Sequence, residues 1–267
     1  MPTTRIHDID LYYETHGAGA PLVLISGLGY SLWQWHLMLP YLEKHFQVIT
    51  FDNRGVGQTD KPAGPYSASL LAGDTVGLLD HLGVERAIVM GHSMGGFIAQ
   101  ALALEHPQRV DKLILASTNF GGPRHVPVTA EALAILTDLK SDPLTRLKNG
   151  IVVSTAPGFA ERQPERIQTW LDRRVANPLN VGGYQAQMGI GMALLAEEAA
   201  FEQRLPSISA PTLILFGAHD KVVPPANADL LAKQIPGSRI HILPDAGHFF
   251  PLEAPEEAAQ VVIQFAG

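Results

Sequence analysis

The fold of this chain is decided by one segment, Ala87-Ile88-Val89-Met90-Gly91-His92-Ser93-Met94-Gly95-Gly96. Its four leading apolar residues predict a buried strand, and residues 97–105 have the spacing of a helix. The glycines two before and two after Ser93 leave room for a tight turn between strand and helix. Such a turn raises a serine hydroxyl above a sheet, so Ser93 is the candidate nucleophile.

A less specific interpretation of the same pattern is also open. A Gly-x-Ser-x-Gly match can arise by chance in a chain with 25 glycines, and Ser93 would then only cap a core helix. The strand before the turn and the helix directly after it favour the nucleophile.

Strand and helix alternate on both sides of this segment. Because short buried strands separated by helices indicate a parallel sheet covered on both faces, the sequence predicts an α/β fold with a mostly parallel, doubly wound sheet of about eight strands. The strands are predicted at 21–25, 46–51, 86–90, 110–116, 212–216 and 239–243, and the helices at 31–45, 69–82, 94–106, 225–234 and from about 255.

The alternation stops near Phe120 and resumes at Pro211. Between them lie helix signals, among them an Ala-, Leu- and Met-rich run at 185–205, and no convincing strand. We therefore expect one domain, 1–267, with a core of 1–120 and 206–267 and a helical cap of about 121–205 inserted after the sixth strand. A cap at the carboxyl edge of the sheet is suited to form a lid and a substrate pocket.

A serine needs a general base within hydrogen-bond reach, and the base needs a carboxylate to orient it. Asp220 follows one predicted strand and His248 follows the next, in the order Ser, Asp, His that this type of sheet uses. Asp245 is the rival carboxylate, but its place three residues before His248 suits a turn residue. We interpret the other candidate histidines as structural residues or site walls: His92, His219 and His241.

Backbone N–H groups are the expected oxyanion donors. Met94 supplies one at the start of the helix after Ser93, and Leu28 supplies the other from the loop Ser26-Gly27-Leu28-Gly29. For substrate binding, Trp33, Phe249 and Met188 are the candidates. Ordinary core packing is the alternative for these residues and for their neighbours Trp35, Phe250 and Met192.

Composition excludes several other classes of protein. The net charge is −7 and no Lys or Arg run is present, so nucleic acid is not an expected partner. No apolar stretch approaches the length of a membrane span, and the N-terminus lacks the pattern of a signal peptide, so we expect a cytoplasmic protein. Without cysteine there is no disulfide or Cys-ligated metal, and we expect no metal site. The oligomeric state is not indicated.

Two further motifs have other interpretations. The sequence Gly27-Leu28-Gly29 before Asp52 imitates a dinucleotide-binding fingerprint, but Leu32 replaces the third glycine, so nucleotide binding is not expected. Arg54 could clamp a phosphate or carboxylate.

Four stretches together resemble the α/β-hydrolase superfamily: Gly-His-Ser-Met-Gly-Gly at 91–96, Asp-Asn-Arg-Gly-Val-Gly-Gln-Thr-Asp at 52–60, Gly-Ala-His-Asp at 217–220 and Gly-His at 247–248. More narrowly, the chain is similar to single-domain carboxylesterases, enol-lactonases and carbon–carbon bond hydrolases of that superfamily. The resemblance implies no cofactor and a structural role for the Arg-Gly-x-Gly loop that begins at Arg54, and Asp52 and Asp60 are expected to share the hydrogen bonds of this loop.

The chain departs from the family's patterns at two positions. Ser26 stands where the family usually has a histidine before the oxyanion-loop glycine, and His92 stands where carbon–carbon hydrolases commonly have asparagine. A serine at position 93, rather than the aspartate of dehalogenases and epoxide hydrolases, implies an acyl-enzyme.

We therefore expect a serine hydrolase that cleaves a carboxylic ester of a small, largely apolar substrate. An enol-lactonase or a hydrolase of meta-cleavage products is the alternative within the same chemistry. A ligand receptor that retains the three residues and turns over slowly is the alternative of another class.

Overall fold

A computed structural model of the chain describes residues 2–138, 140–196 and 198–267. Within these residues, eight strands form one sheet in the order β1-β2-β4-β3-β5-β6-β7-β8. The strands are β1 (Thr3–Ile6), β2 (Ile9–His16), β3 (Ala20–Ile25), β4 (Phe46–Phe51), β5 (Ala87–His92), β6 (Val110–Ala116), β7 (Thr212–Gly217) and β8 (Arg239–Leu243).

The sheet is antiparallel only at one edge. β1 pairs with β2, and β2 with β4, in antiparallel register, whereas all pairs from β4 through β3 to β8 are parallel. β5 and β7 are buried along their whole length because helices cover both faces of the sheet. The predicted mostly parallel, doubly wound sheet is confirmed.

The helices of the core and those of the inserted segment are separate groups along the chain. The core helices are α1 (Leu39–Leu42), α2 (Ala68–His81), α3 (Met94–Glu105), α9 (Ala226–Gln234), α10 (Phe250–Glu253) and α11 (Pro255–Ala266). Between β6 and β7 lie α4 (Ala130–Leu136), α5 (Pro143–Val153), α6 (Phe159–Arg162), α7 (Pro164–Ala176) and α8 (Val181–Ala193). The helical cap after the sixth strand is therefore confirmed; we refer to residues 121–205 as the cap.

Two predicted helices differ from the structure. The segment 31–45 forms a 3₁₀ turn at Leu32–Trp35 and the single turn α1, because Pro40 lacks the N–H that a continuous helix needs there. The helix in the run 185–205 is α8, which begins before this run, at Val181, and ends within it, at Ala193. The side chain of Asn180 caps its start by accepting a hydrogen bond from the Gly183 N–H. Asn180 is a favourable N-cap that the apolar composition of the run did not indicate.

Apolar side chains form separate clusters on the two faces of the sheet. A third cluster joins the cap to the core and consists of Trp33, Ile151, Phe159, Ile167, Trp170, Leu171, Phe249 and Leu252. We call it the cap–core cluster. In the described part of the chain, no helix is long and apolar enough to cross a membrane.

Candidate active site

Ser93 lies at the turn between β5 and α3. Its backbone has φ 55° and ψ −118°, a conformation that L-residues adopt only when the surrounding structure enforces it. A Cβ on Gly91 would overlap the carbonyl oxygen of Gly95, and one on Gly95 would overlap that of Ile25. The two glycines therefore make the turn possible, for the steric reason that the sequence indicated.

His248 and Asp220 meet at the carboxyl edge of the sheet. His248 Nδ1 donates to Asp220 Oδ2 over 2.8 Å, and both side chains are buried. The other oxygen of Asp220 accepts from the N–H groups of Val222 (2.9 Å) and Val223 (2.7 Å), which hold the carboxylate in place. Because Nδ1 carries the shared proton, His248 Nε2 is left as the acceptor of the ring.

Ser93 and His248 line one cavity, and the loops after β5 and β8 bring them there. Among the described residues, no hydrogen bond joins the two side chains. Bonds of this kind are often long without substrate and tighten when substrate binds.

The rival residues lie elsewhere. Asp245 and His219 are exposed and line a separate surface depression, so neither joins the His248–Asp220 pair. His92 is buried, and its Nε2 bonds to the backbone oxygen of His248 over 2.8 Å. Burial, together with the neighbouring His248, lowers the pKa of His92 to about 3. His92 is therefore a neutral donor that supports the loop of residues 244–249, which carries His248 and which we call the histidine loop.

The N–H groups of Leu28 and Met94 have no acceptor among the described residues. The residues on either side of Leu28 differ from it, because each of their N–H groups donates to a side chain. Gly27 N donates to Gln34 Oε1 over 3.0 Å, and Gly29 N donates to Gln187 Oε1 over 2.9 Å. Met94 is the first residue of α3, where N–H groups lack helical partners. Both predicted oxyanion donors are thus available to a ligand.

The loop that carries Leu28, residues 26–31, is called the oxyanion loop below. Ser26 is fully buried; its hydroxyl donates to Ser31 O over 3.2 Å and accepts from Trp35 Nε1 over 3.0 Å. The serine that replaces the family's usual histidine therefore holds this loop through side-chain hydrogen bonds.

The cavity has a volume of about 410 Å³ and lies between the core and the cap. Leu28, Ser93, His248 and Phe249 line it, together with apolar cap residues, among them Ile135, Leu136, Leu147, Ile151 and Leu179. Its size is in the range of small-molecule sites.

Two of the three predicted substrate-binding residues do not line the cavity. Trp33 packs behind its wall, with ring centroids 5.2 Å from Tyr30 and 5.0 Å from Trp170. Met188 is 39 % exposed and Met192 62 % exposed, so both lie on the outer surface of α8 rather than in the cavity or the core. The Ala-, Leu- and Met-rich composition of the run 185–205 did not show which side of this helix packs inward.

The Arg54 side chain is paired with two carboxylates from outside its own loop. Its guanidinium binds Asp8 (2.9 and 2.7 Å) and Asp74 (2.8 and 2.8 Å). Asp52 instead accepts from the N–H groups of Leu32 and Gln58, and Asp60 accepts from that of Asp10. Asp74 lies on α2 and Asp8 between β1 and β2, which local sequence could not bring to Arg54.

Sequence reasoning also missed several polar residues of the cap and its surroundings. Arg174 of α7 is buried, donates from Nη1 to Gly29 O over 2.6 Å and lies 4.4 Å from the centre of the Tyr30 ring. It has no carboxylate partner among the described residues. Glu253 accepts from the N–H groups of Ala156 (2.6 Å) and Gly247 (2.8 Å), and so joins the cap to the histidine loop. No motif marks any of these positions.

Fold and site together define a class of protein. A mostly parallel sheet carries a serine after β5, an aspartate after β7 and a histidine after β8, and a helical cap covers them. This is the arrangement of the α/β-hydrolase class.

Comparisons with known proteins agree. The profile of the alpha/beta hydrolase fold matches residues 20–255, so the chain belongs to that family and is a hydrolase of the α/β fold. It is 31 % identical over 260 residues to 3-oxoadipate enol-lactonase 2 of Acinetobacter baylyi, covering 95 % of this chain and 92 % of that protein.

Other relatives have different names. The chain is 32 % identical over 269 residues to 2-hydroxy-6-oxononadienedioate/2-hydroxy-6-oxononatrienedioate hydrolase 2 of Pseudomonas putida, covering 97 % of this chain and 92 % of that one. A solved structure of a thermophilic esterase from Thermogutta terrifontis superposes with a TM-score of 0.80 at 29 % identity, covering 99 % and 96 % of the two chains. The names of these three proteins thus denote an enol-lactonase, a hydrolase of 2-hydroxy-6-oxononadienedioate or 2-hydroxy-6-oxononatrienedioate, and an esterase.

Proposed function

We propose that this chain is a serine hydrolase that cleaves a carboxylic ester of a small, largely apolar substrate through an acyl-enzyme. The observation that carries the proposal is the His248–Asp220 pair, joined over 2.8 Å, whose imidazole lines the same cavity as Ser93. A base oriented in this way beside a serine is the arrangement that nucleophilic acyl transfer requires.

In the proposed reaction, His248 Nε2 takes the proton of Ser93 as Oγ attacks the ester carbonyl. The N–H groups of Leu28 and Met94 stabilise the oxyanion that forms. His248 then protonates the departing alcohol and leaves an acyl-Ser93 ester. Water, activated by His248, releases the acid, while Asp220 stabilises the imidazolium at each step.

Cavity size and lining support the substrate class. A volume of about 410 Å³ admits a small molecule, and the cap side of the cavity is largely aliphatic, with Phe249 next to the proposed base. An apolar acyl group therefore has a matching surface within reach of Ser93.

Replacement of the nucleophile tests the proposal. We expect Ser93→Ala to lower turnover of a short p-nitrophenyl ester by about a thousandfold or more, because no other group can form the acyl-enzyme. A p-nitrophenyl phosphonate should add one covalent adduct to the wild-type chain, located at Ser93 by mass spectrometry.

The matched control is Ser207→Ala, since Ser207 is exposed and, among the described residues, its hydroxyl bonds only to Arg204 O. This variant should retain both the turnover and the adduct. Full activity in a folded Ser93→Ala chain, or an adduct on another residue, would contradict the proposal.

A second candidate is hydrolysis of a lactone or carbon–carbon substrate that carries a carboxylate. Arg174 and Arg146 in the cavity lining favour it, and the names of two relatives denote such reactions. Paired p-nitrophenyl esters, with a terminal methyl or a terminal carboxylate on the acyl chain, distinguish the candidates. A higher kcat/KM for the carboxylate ester would favour the second candidate, and a lower one the first.

A further inference from the structure

Gln187 connects the cap to the oxyanion loop. It lies on α8 and is completely buried, and its Oε1 accepts from Gly29 N over 2.9 Å. Its Nε2 donates to the backbone oxygen of Arg54 over 2.8 Å. Because one partner is a donor and the other an acceptor, only one orientation of the amide satisfies both, which fixes the side chain in place.

The position of α8 against the core is itself closely defined. A Cβ on Gly183, one turn before Gln187, would overlap the carbonyl oxygen of Gly55. The helix therefore lies in backbone contact with the loop after β4. Arg174 adds a second contact from the cap to Gly29, through the carbonyl oxygen of that residue. Two cap helices thus hold the peptide groups on either side of the Gly29 Cα, the first of which joins Gly29 to Leu28.

We infer that Gln187 is a positioning residue that holds the Leu28 N–H in the oxyanion hole, so that the hole is complete only when the cap is seated on the core. This inference rests on the function proposed above. Gly29 follows Leu28 directly, and a shift of its N–H rotates the neighbouring peptide group. Gln187 itself acts through Gly29 and touches no reacting atom in this mechanism.

A misplaced oxyanion donor affects one stage of the reaction more than the others. The charge on the carbonyl oxygen develops in the transition state, so a lost donor lowers kcat more than it raises KM. An ordinary loss of cap packing would instead weaken substrate binding or the stability of the fold. The ratio of the two kinetic effects therefore separates the inference from a purely structural role.

The variant Gln187→Met removes both hydrogen bonds and keeps nearly the same side-chain volume. We expect kcat for a p-nitrophenyl ester to fall about tenfold to a hundredfold, with KM changed by less than about threefold. Affinity for a trifluoromethyl ketone should fall by a similar factor, because its Ser93 adduct places an oxyanion in the hole. Should Gln187→Met not fold, Gln187→Leu removes the same two bonds.

Asn227→Leu is the matched control. Asn227 on α9 is also fully buried; its Oδ1 accepts from Val126 N over 2.9 Å at the other end of the cap, and its Nδ2 donates to Val126 O over 2.8 Å and to Pro224 O of the core over 2.9 Å. The Asn227→Leu variant therefore loses the same kind of contact between cap and core, away from the oxyanion loop. We expect it to lower the Tm and to leave kcat within about twofold of the wild type.

The outcomes are distinguishable. A folded Gln187 variant with unchanged kcat and ketone affinity, in an enzyme whose Ser93 is labelled by phosphonate, would overturn this inference alone. An equal loss of kcat in Asn227→Leu would also overturn it, since any loosened cap would then have the same effect. A wild-type chain that forms no Ser93 adduct would overturn the proposed function together with the inference.

Discussion

His92 and His248 lie in contact, with ring centroids 4.8 Å apart, and the structure gives them different tasks. The buried His92 is neutral and donates to the backbone of the histidine loop, whereas His248 faces the cavity with Asp220 behind it. A second imidazolium at this distance would repel a protonated His248. The neutral His92 therefore places no positive charge beside the proposed base.

Glu253 is the residue whose titration should be visible in the stability of the fold. Burial raises the pKa of Glu253 from 4.5 to about 7, against the opposing effect of the N–H bonds from Ala156 and Gly247 and of the nearby His248, while Asp220 adds to the rise. The folded state thus keeps a proton that the unfolded chain has lost. The contribution of the protonated Glu253 carboxyl to the stability of the fold is present below pH 4.5 and is lost as the pH rises through about 7.

We expect Glu253→Gln to remove this pH dependence. The difference in Tm between wild type and variant should be more favourable to the wild type at pH 5 than at pH 8. Thermal unfolding at a series of pH values measures it, with the exposed Glu256→Gln of α11 as the control. A difference in Tm that stays constant across this range would show that Glu253 does not titrate there.

The elements around β4 are held together by the Arg54 ion pairs. This guanidinium, with 3 % of its side chain exposed, joins the loop after β4 to Asp74 of α2 and to Asp8 between β1 and β2. Asp74 is 2 % exposed, and within the described ranges Arg54 is the cation that compensates its charge. The loop that carries Arg54 also receives the hydrogen bond from Gln187.

We expect Arg54→Met to lower the free energy of unfolding by about 3–5 kcal/mol, because it leaves the Asp74 carboxylate buried without a partner. Urea denaturation measures the change. Arg5→Met is the control: Arg5 pairs with Asp10 at the surface, with the two side chains 61 % and 58 % exposed, and such pairs contribute little. Equal losses in both variants would contradict the assignment.

At the level of elements, strands were easier to predict than the helix at 31–45. Parallel strands such as β3 and β7 are short apolar runs bounded by turn residues, and this pattern is independent of the rest of the chain. The helical pattern at 31–45 arose from Trp33, Trp35 and Met38, which the structure buries through a 3₁₀ turn and α1. Apolar spacing showed which residues are buried and not the backbone that buries them.

At the scale of the molecule, cap and core share the cap–core cluster. Trp170 of α7 is fully buried and contacts Trp33 and Phe249, with ring centroids 5.0 and 5.6 Å away. Phe249 in turn lines the cavity beside His248. Packing of the cap is therefore continuous with the wall of the proposed active site.

We expect cap and core to unfold together, in one calorimetric transition, because neither can expose this cluster alone without a large cost. Trp170→Ala should lower the free energy of unfolding by about 3–5 kcal/mol and shift that single transition as a whole. Val175→Ala on the same helix is the control, since Val175 is 58 % exposed. Two separate transitions, with only one moved by Trp170→Ala, would show that the cap unfolds independently.

The sequence by itself determined the alternation of parallel strands with helices and the three candidate residues Ser93, Asp220 and His248, each of which follows a strand. It could do so because a strand followed by a glycine-rich turn is a local pattern, and parallel strands place their carboxyl ends at one edge. Only the tertiary structure decided the cavity lining, the partners of Arg54 and the contact of Gln187 with Gly29, residues 158 positions apart. A hydrogen bond between a helix and a loop so distant along the chain leaves no periodicity or motif, since it depends on how the cap packs on the core.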